Sequence, residues 1–310
     1  MTLVLLCVSL VVGFILLVKG SDFFVDGAAS FATKLGIPQL VIGLTIVAMG
    51  TSAPEAAVSI TAAFEGNADI TIGNIVGSNI LNTFIILGIA SVIVPIVVSL
   101  TTIKYEIPYM IICSVVLLLM GYDKKISFID GVVLWVLFVL YLSYLFMQAK
   151  NNKEEKEEVK CLKGWMQGVY IVGGIIAIIA GSKFAVYGAT EIARLIGISE
   201  RFIGLTIVAL GTSLPELFTS VAAAKKGNAD IAIGNIVGSN IFNILFIVGT
   251  TALIVEVPFE GKFFVDSIIV ILSGVILLAC VIKDKKLNRV GGVVMLLCYA
   301  AYFGYLCFQG

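Results

Sequence analysis

Apolar runs close to twenty residues long follow one another along the whole chain, separated by short polar stretches. A run of that length with few charges is long enough to cross a bilayer as a helix. Ten spans are predicted. Five lie near residues 2–20, 38–63, 70–98, 105–121 and 127–148, and five near 164–181, 199–224, 231–255, 263–282 and 290–308. The first span of each set is expected to continue as an amphipathic helix through 20–36 or 181–197. Between the sets lies NNKEEKEEVK, residues 151–160. It has no apolar period and reads as a solvated linker, too short to hold a soluble domain.

The two sets carry nearly one text. Residues 35–88 and 196–249 align without a gap at an offset of 161, with 34 of 54 positions identical. The segments GSDFFVDGAASFATKLG (20–36) and GSKFAVYGATEIARLIG (181–197) match at the same offset, so the repeat reaches beyond the core stretch. Five spans is an odd number, so the second copy must enter the membrane from the opposite side. The expected fold is an all-α polytopic membrane protein with ten transmembrane helices in two inverted five-helix repeats. The repeats are residues 1–150 and 161–310, joined by the linker 151–160. With the N-terminus outside, 14 of the 20 Lys and Arg residues fall on cytoplasmic loops and span ends, and 6 fall outside. The positive-inside rule then puts both termini outside a plasma or inner membrane and the linker in the cytoplasm.

Composition narrows the function classes. The chain of 310 residues is 60% hydrophobic, 13% charged and formally neutral, so no bulk field points to nucleic acid. The expected partner is the lipid bilayer, with no protein partner and no cofactor. There is no histidine, which removes the commonest transition-metal ligand and the easiest proton carrier near neutral pH. The six cysteines form no CxxC pair, and the five within apolar runs read as small hydrophobes. The first run, Thr2–Val18, lacks a basic leader and has an internal counterpart in Trp165–Ala180, so it is read as a retained helix.

The chemistry lies in the repeated stretch. Each copy sets a carboxylate, Glu55 or Glu216, inside an apolar span, where an ionisable group is expensive and marks a functional site by default. Pro54 has no N–H, and its ring clashes with the carbonyl of Gly50, so the helix must open there. Carbonyls freed at that depth survive only where protein or a water-filled cavity satisfies them. Thr51 and Ser52 share a helical face with Glu55, as Thr212 and Ser213 do with Glu216. The next span adds Asn74, Ser78, Asn79 and Asn82, mirrored by Asn235, Ser239, Asn240 and Asn243. Ser78, Asn82, Ser239 and Asn243 are read as ion contacts. Asn74, Asn79, Asn235 and Asn240 are read as hydrogen-bonded glue between helices, with the neighbouring GxxxG pairs allowing close approach. The GNAD sequences, 66–69 and 227–230, read as polar turns that cap the following helix. Every donor in the set is oxygen, which suits a hard cation. Six to eight such oxygens suit Ca²⁺, two carboxylates balance its charge, and Na⁺ can occupy overlapping subsites.

At GTSxPE and GNIVGSNI the chain resembles the cation/calcium exchanger superfamily, and within it the prokaryotic sodium/calcium antiporters. The resemblance covers essentially the whole chain. It implies electrogenic exchange of several Na⁺ for one Ca²⁺ by alternating access, with the long first helix of each half sliding across a rigid core. It maps ion ligands onto Glu55 and Glu216 first. Thr51, Ser52, Ser78, Asn82, Thr212, Ser213 and Ser239 follow, with the backbone carbonyls of Ala48, Thr51, Ala209 and Thr212. Some members carry Asp where this chain has Asn243. With Asn at both 82 and 243 the core holds no third carboxylate, which argues against potassium co-transport. The missing histidine and the GTSxPE form favour sodium over proton coupling. The calcium-sensing domain of eukaryotic members has no counterpart in the short linker, so no regulation by calcium outside the transport site is expected. The rival expectations are a proton/calcium exchanger of the same fold, a passive calcium channel, and a membrane protein that binds calcium without moving it.

Overall fold

The computed structural model describes residues 3–151, 162–197 and 209–309. Most of the expected linker and the opening of the seventh predicted span, residues 199–208, lie outside the described residues.

Helix α1 (Leu3–Leu35) runs through the first apolar span and its amphipathic continuation without a break. A bent pair follows, α2 (Gln39–Thr51) and α3 (Ala53–Phe64), meeting at 50°. Helices α4 (Ile70–Ile93), α5 (Thr102–Asp123) and α6 (Phe128–Asn151) complete the first set. The second set repeats the order: α7 (Gly164–Leu195), the broken pair α8 (Ala209–Thr212) and α9 (Leu214–Lys225), then α10 (Ala229–Ile254), α11 (Lys262–Ile282) and α12 (Arg289–Gln309). Among the described residues eight helices are long and apolar enough to cross a membrane, and the bent pair α2–α3 makes a ninth. The chain is therefore a helical polytopic membrane protein. The remaining expected crossing needs residues outside those described.

The all-α expectation is corrected in one respect. The third span ends at Ile93 rather than Val98, because Pro95 stops the helix. The chain then extends as β1 (Ile96–Val97), and β2 (Lys125–Ile126), β3 (Val257–Pro258) and β4 (Lys286–Leu287) arise at the corresponding loops. β1 pairs antiparallel with β4, and β2 with β3, so each two-residue ladder joins one half to the other. The register is self-consistent under the repeat: Ile96 faces Leu287, and their equivalents Val257 and Ile126 face each other. All four of these side chains are buried.

The GNAD turns hold the N-cap positions of the following helices, Ala68 and Asn228, neither of which makes a side-chain cap bond. They also close the preceding helix, a role the polar pattern did not announce. Gly66 (φ 80°) donates to Ala63 O at 3.2 Å, and Asn67 to Ala62 O at 2.8 Å. Gly227 (φ 84°) and Asn228 repeat this at 3.1 and 2.9 Å. These are Schellman closures, in which a left-handed glycine lets the last carbonyls find donors. The sequence signal for that closure was the glycine.

α4 and α10 are the most enclosed helices, while α1 and α12 show much of their surface outward. Gly234 and Gly238 on α10 press against α2 within the same chain. A Cβ on Gly238 would lie 2.7 Å from the Leu44 carbonyl oxygen. α1 lies against α7 in the antiparallel sense along a ladder of glycines spaced by seven. A Cβ on Gly13 would lie 2.8 Å from Gly181 O, and one on Gly174 would lie 2.9 Å from Gly20 O. Without side chains the two backbones approach closely, the packing that small residues permit in lipid. This heptad of glycines is visible in the sequence once the partner helix is known.

Candidate functional site

The site forms where the two broken pairs and the two enclosed helices meet. In the first copy the α-helix ends at Thr51, Ser52 leaves the helical region (φ −82°, ψ 7°), and α3 restarts at Ala53 with Pro54 in its first turn. In the second copy Ser213 (φ −90°, ψ 2°) and Pro215 do the same. Proline removes the donor that Gly50 O would receive, so the expected opening is found at the expected place. Each carboxylate sits in the first turn of the restarted helix, where N–H groups point outward and negative charge is favoured.

Glu55 and Glu216 are both buried, as are Thr51, Ser52, Ser78, Asn82, Ser213, Ser239 and Asn243, while Thr212 is half-buried. The two halves interlock across the site. Ser52 Oγ donates to Glu216 Oε1 at 2.9 Å. Thr212 faces the Glu55 carboxyl from the other half, and Ser78 faces it from α4. Thr51 also faces Glu216, while its hydroxyl donates to Asn235 Oδ1 at 2.9 Å and Ala48 O at 3.3 Å. Ala48 O additionally receives the Ser239 hydroxyl at 3.4 Å. Ala209 opens α8, and its side chain lies outside the described residues.

The asparagines divide between framework and site. Asn74 donates to Ser59 Oγ and Asn235 to Ser220 Oγ, both at 2.9 Å, tying α4 to α3 and α10 to α9. Asn79 donates to Asn240 O at 3.2 Å, and Asn240 donates to Thr83 Oγ1 at 2.9 Å. Asn82 and Asn243 use only their amide hydrogens for packing, Asn82 on Asn240 Oδ1 and Asn243 on Asn79 Oδ1, each at 3.0 Å. That fixes both side chains with their oxygens uncommitted. Both sit where the backbone widens to i→i+5 turns, over Leu81–Ile86 in α4 and Asn243–Val248 in α10. Such wide turns recur at functional sites, and nothing in the apolar pattern announced them.

Six buried side-chain oxygens of this group have no hydrogen-bond partner among the described residues: Glu55 Oε2, Glu216 Oε2, Ser78 Oγ, Ser213 Oγ, Asn82 Oδ1 and Asn243 Oδ1. Buried polar atoms are nearly always paired, so an unpaired set invites a ligand that accepts oxygen donors. Its chemistry is that of a hard cation: all oxygen, two carboxylates, no nitrogen or sulfur. A cavity of about 1040 Å³ lies beside the group, between α3 and α7. Its lining includes Pro54, Gly211 and Thr212 of the broken helices, and Glu65, Asn67 and Arg194.

A further buried carboxyl escaped the sequence reading because it opens a span rather than interrupting one. Glu106 Oε1 receives the Tyr144 hydroxyl at 2.6 Å, and Tyr141 and Gln148 of α6 lie beside it. It belongs to the α5–α6 contact and not to the interlocked group.

A family model described as sodium/calcium exchanger protein matches the chain twice, over residues 5–147 and 166–308, which differ by the offset of the internal repeat. The chain is 33% identical to the sodium/calcium exchanger MaX1 of Methanosarcina acetivorans, covering 94% of this chain and 96% of that protein. It is 35% identical to the inner membrane protein YrbG of Escherichia coli (strain K12), covering 92% of each. Among solved structures it is similar to the sodium-calcium exchanger NCX_Mj, with a TM-score of 0.86 and 33% identity over 98% of this chain and all of that one.

Proposed function

The chain belongs to the sodium/calcium exchanger family, and from that membership and the geometry of its buried carboxylates we infer that it is a secondary active antiporter. It exchanges sodium for calcium across the membrane by alternating access. The observation that carries the site assignment is the set of six unpartnered buried oxygens around Glu55 and Glu216.

Calcium takes the position between the two carboxylates, whose charge balances its own. Ser78, Asn82, Ser213, Ser239 and Asn243 complete the oxygen cage, with Thr51, Ser52 and Thr212 and the carbonyls of Ala48 and Ala209 on its rim. Sodium ions use overlapping subsets of the same oxygens. Sharing two carboxylates means that the ions compete, so one gradient can drive the other ion. The broken helices serve this purpose: the carbonyl ends of α2 and α8 attract cations, and the amide ends of α3 and α9 favour negative charge beside them.

The architecture is ten crossings in two inverted repeats, 1–150 and 161–310. Both termini lie outside a plasma or inner membrane and the linker 151–160 is cytoplasmic. The antiparallel contact of α1 with its repeat equivalent α7 supports inversion, and the distribution of Lys and Arg supports the orientation. In that frame the cavity between α3 and α7 opens to the outside. No electron carrier or other cofactor takes part. Energy comes from the sodium gradient and from net charge movement, about 2.3 kcal/mol per charge per 100 mV.

The test is uptake of radioactive calcium by sodium-loaded proteoliposomes diluted into sodium-free choline medium. A parallel set carries an imposed pH gradient instead. Uptake driven by the outward sodium gradient is expected. Uptake driven only by the pH gradient, or uptake with no counter-ion, overturns the reading.

A further inference from the structure

The two sides of the molecule are chemically related but structurally different. On one side α1 lies against α9, with Phe14 and Phe218 ring centroids 6.1 Å apart. The contact is fastened at the end of α9. Lys226 Nζ lies 2.7 Å from Asp26 Oδ1 and 3.5 Å from Asp22 Oδ1, and donates to the Asp22 backbone carbonyl at 2.7 Å. On the other side the repeat equivalents of α1 and α9 are α7 and α3. These stand apart, with the cavity of about 1040 Å³ between them.

Shifted by the repeat offset of 161, Lys226 corresponds to Glu65, Asp22 to Lys183, and Asp26 to Tyr187. The lysine at the end of the broken helix becomes a glutamate, and the aspartate on the long helix becomes a lysine. Each position therefore pairs opposite charges in the sequence, with polarity reversed between the two. Glu65 and Lys183 both line the cavity, both are exposed, and neither is in an ion pair among the described residues. The neighbouring Arg194 is paired with Glu191 on its own helix.

We propose that these residues are reciprocal latches of the transport cycle. Lys226 with Asp22 and Asp26 holds α1 against α9 while the α3–α7 cavity is open. Glu65 with Lys183 holds α7 against α3 once that cavity has closed and the α1–α9 side has opened. The inference rests on the alternating-access reading above. Surface ion pairs are individually weak, so each latch shifts the balance of the two states without locking either.

The test uses the full-length protein in proteoliposomes. Ala57 lines the cavity, so Ala57→Cys reports its opening through a membrane-impermeant thiol reagent, with labelling at position 57 read by peptide mass spectrometry. Lys226→Ala is expected to slow this labelling about two- to fivefold, the factor that a partly exposed ion pair supports. Lys226→Glu should slow it further, and adding Asp22→Lys with Asp26→Lys should restore it. For the second latch, Glu65→Cys with Lys183→Cys should cross-link on oxidation, and Lys226→Ala should accelerate the cross-link. Labelling that ignores Lys226→Ala, charge exchange that does not rescue, or a cross-link that never forms overturns the latches, provided the wild type exchanges sodium for calcium in the same vesicles. Absence of exchange by the wild type removes the antiporter reading and the latches with it.

Discussion

Replacing Glu216 by Gln removes one negative charge and almost no volume. The Ser52 hydroxyl that now donates to Glu216 Oε1 at 2.9 Å can donate equally to an amide oxygen, so the interlock between the halves is kept. The loss falls on the ion. A carboxylate about 2.4 Å from a divalent cation attracts it by roughly 14 kcal/mol at an effective dielectric near 20. Most of that is offset by the hydration both groups give up. The net cost of removing one partner from a buried charge pair is about 3–5 kcal/mol. Each 1.4 kcal/mol is tenfold in affinity, so the dissociation constant for calcium should rise by about two to four orders of magnitude. Stability without calcium should change little, because the variant loses a buried charge but sets an amide NH₂ where the unpartnered carboxylate oxygen stood. Two measurements on one preparation separate these effects: thermal unfolding with and without calcium, and sodium-driven calcium uptake. The expected result is an unchanged melting temperature in chelator, no rise on adding calcium, and no uptake. Glu55→Gln should behave alike, since the site draws one carboxylate from each half. Near-normal calcium flux in either variant would refute the assignment. A variant that unfolds in chelator would show instead that the carboxylate is structural.

Two further outcomes follow from the packing. Gly181→Val should weaken the α1–α7 pair, because even a Cβ there lies 2.8 Å from Gly13 O and Leu17 N; overpacking of this kind costs about 1–3 kcal/mol and should lower both melting temperature and turnover while leaving calcium affinity within about twofold. Glu106→Gln should preserve exchange, since its neighbours are on α6, whereas Tyr144→Phe should destabilise by about 1–3 kcal/mol by stripping the 2.6 Å hydrogen bond from a buried carboxyl; loss of sodium-driven uptake in Glu106→Gln would place that residue in the transport path.

Much of the site was legible in the sequence because its cause is local. A proline beside a glutamate inside an apolar run opens a helix in any context, and Pro54 and Pro215 do so in the structure. The same holds for the stripe of Asn and Ser on α4 and α10, whose spacing by four sets one face. Glu106 was missed because a carboxylate at the head of a span has water within reach until α6 folds over it. The GNAD turns were read for only one of their two helices for a similar reason. A polar turn between two helices can cap both, and closure of the preceding one depends on the left-handed backbone at Gly66 and Gly227.

By itself the sequence determined which residues are chemically able to hold a cation, that they come in two equivalent sets, and where the helices must break. These follow from hydrophobic length, side-chain donors and proline sterics, none of which depends on the partner segment. Only the tertiary structure decided that each carboxylate receives a hydroxyl from the opposite half, that Asn82 and Asn243 spend their amide hydrogens on the framework and keep their oxygens free, and that the glycine heptads of α1 and α7 meet each other. It also decided the asymmetry between two halves of nearly identical core text, one side sealed by Lys226 and the other open at Glu65. The physical reason is that these contacts join residues some 150 to 200 positions apart, and the Lys226 pair is an exposed one worth only about 1 kcal/mol. Such contacts leave no mark on local propensity and are set by how the two halves lie against each other.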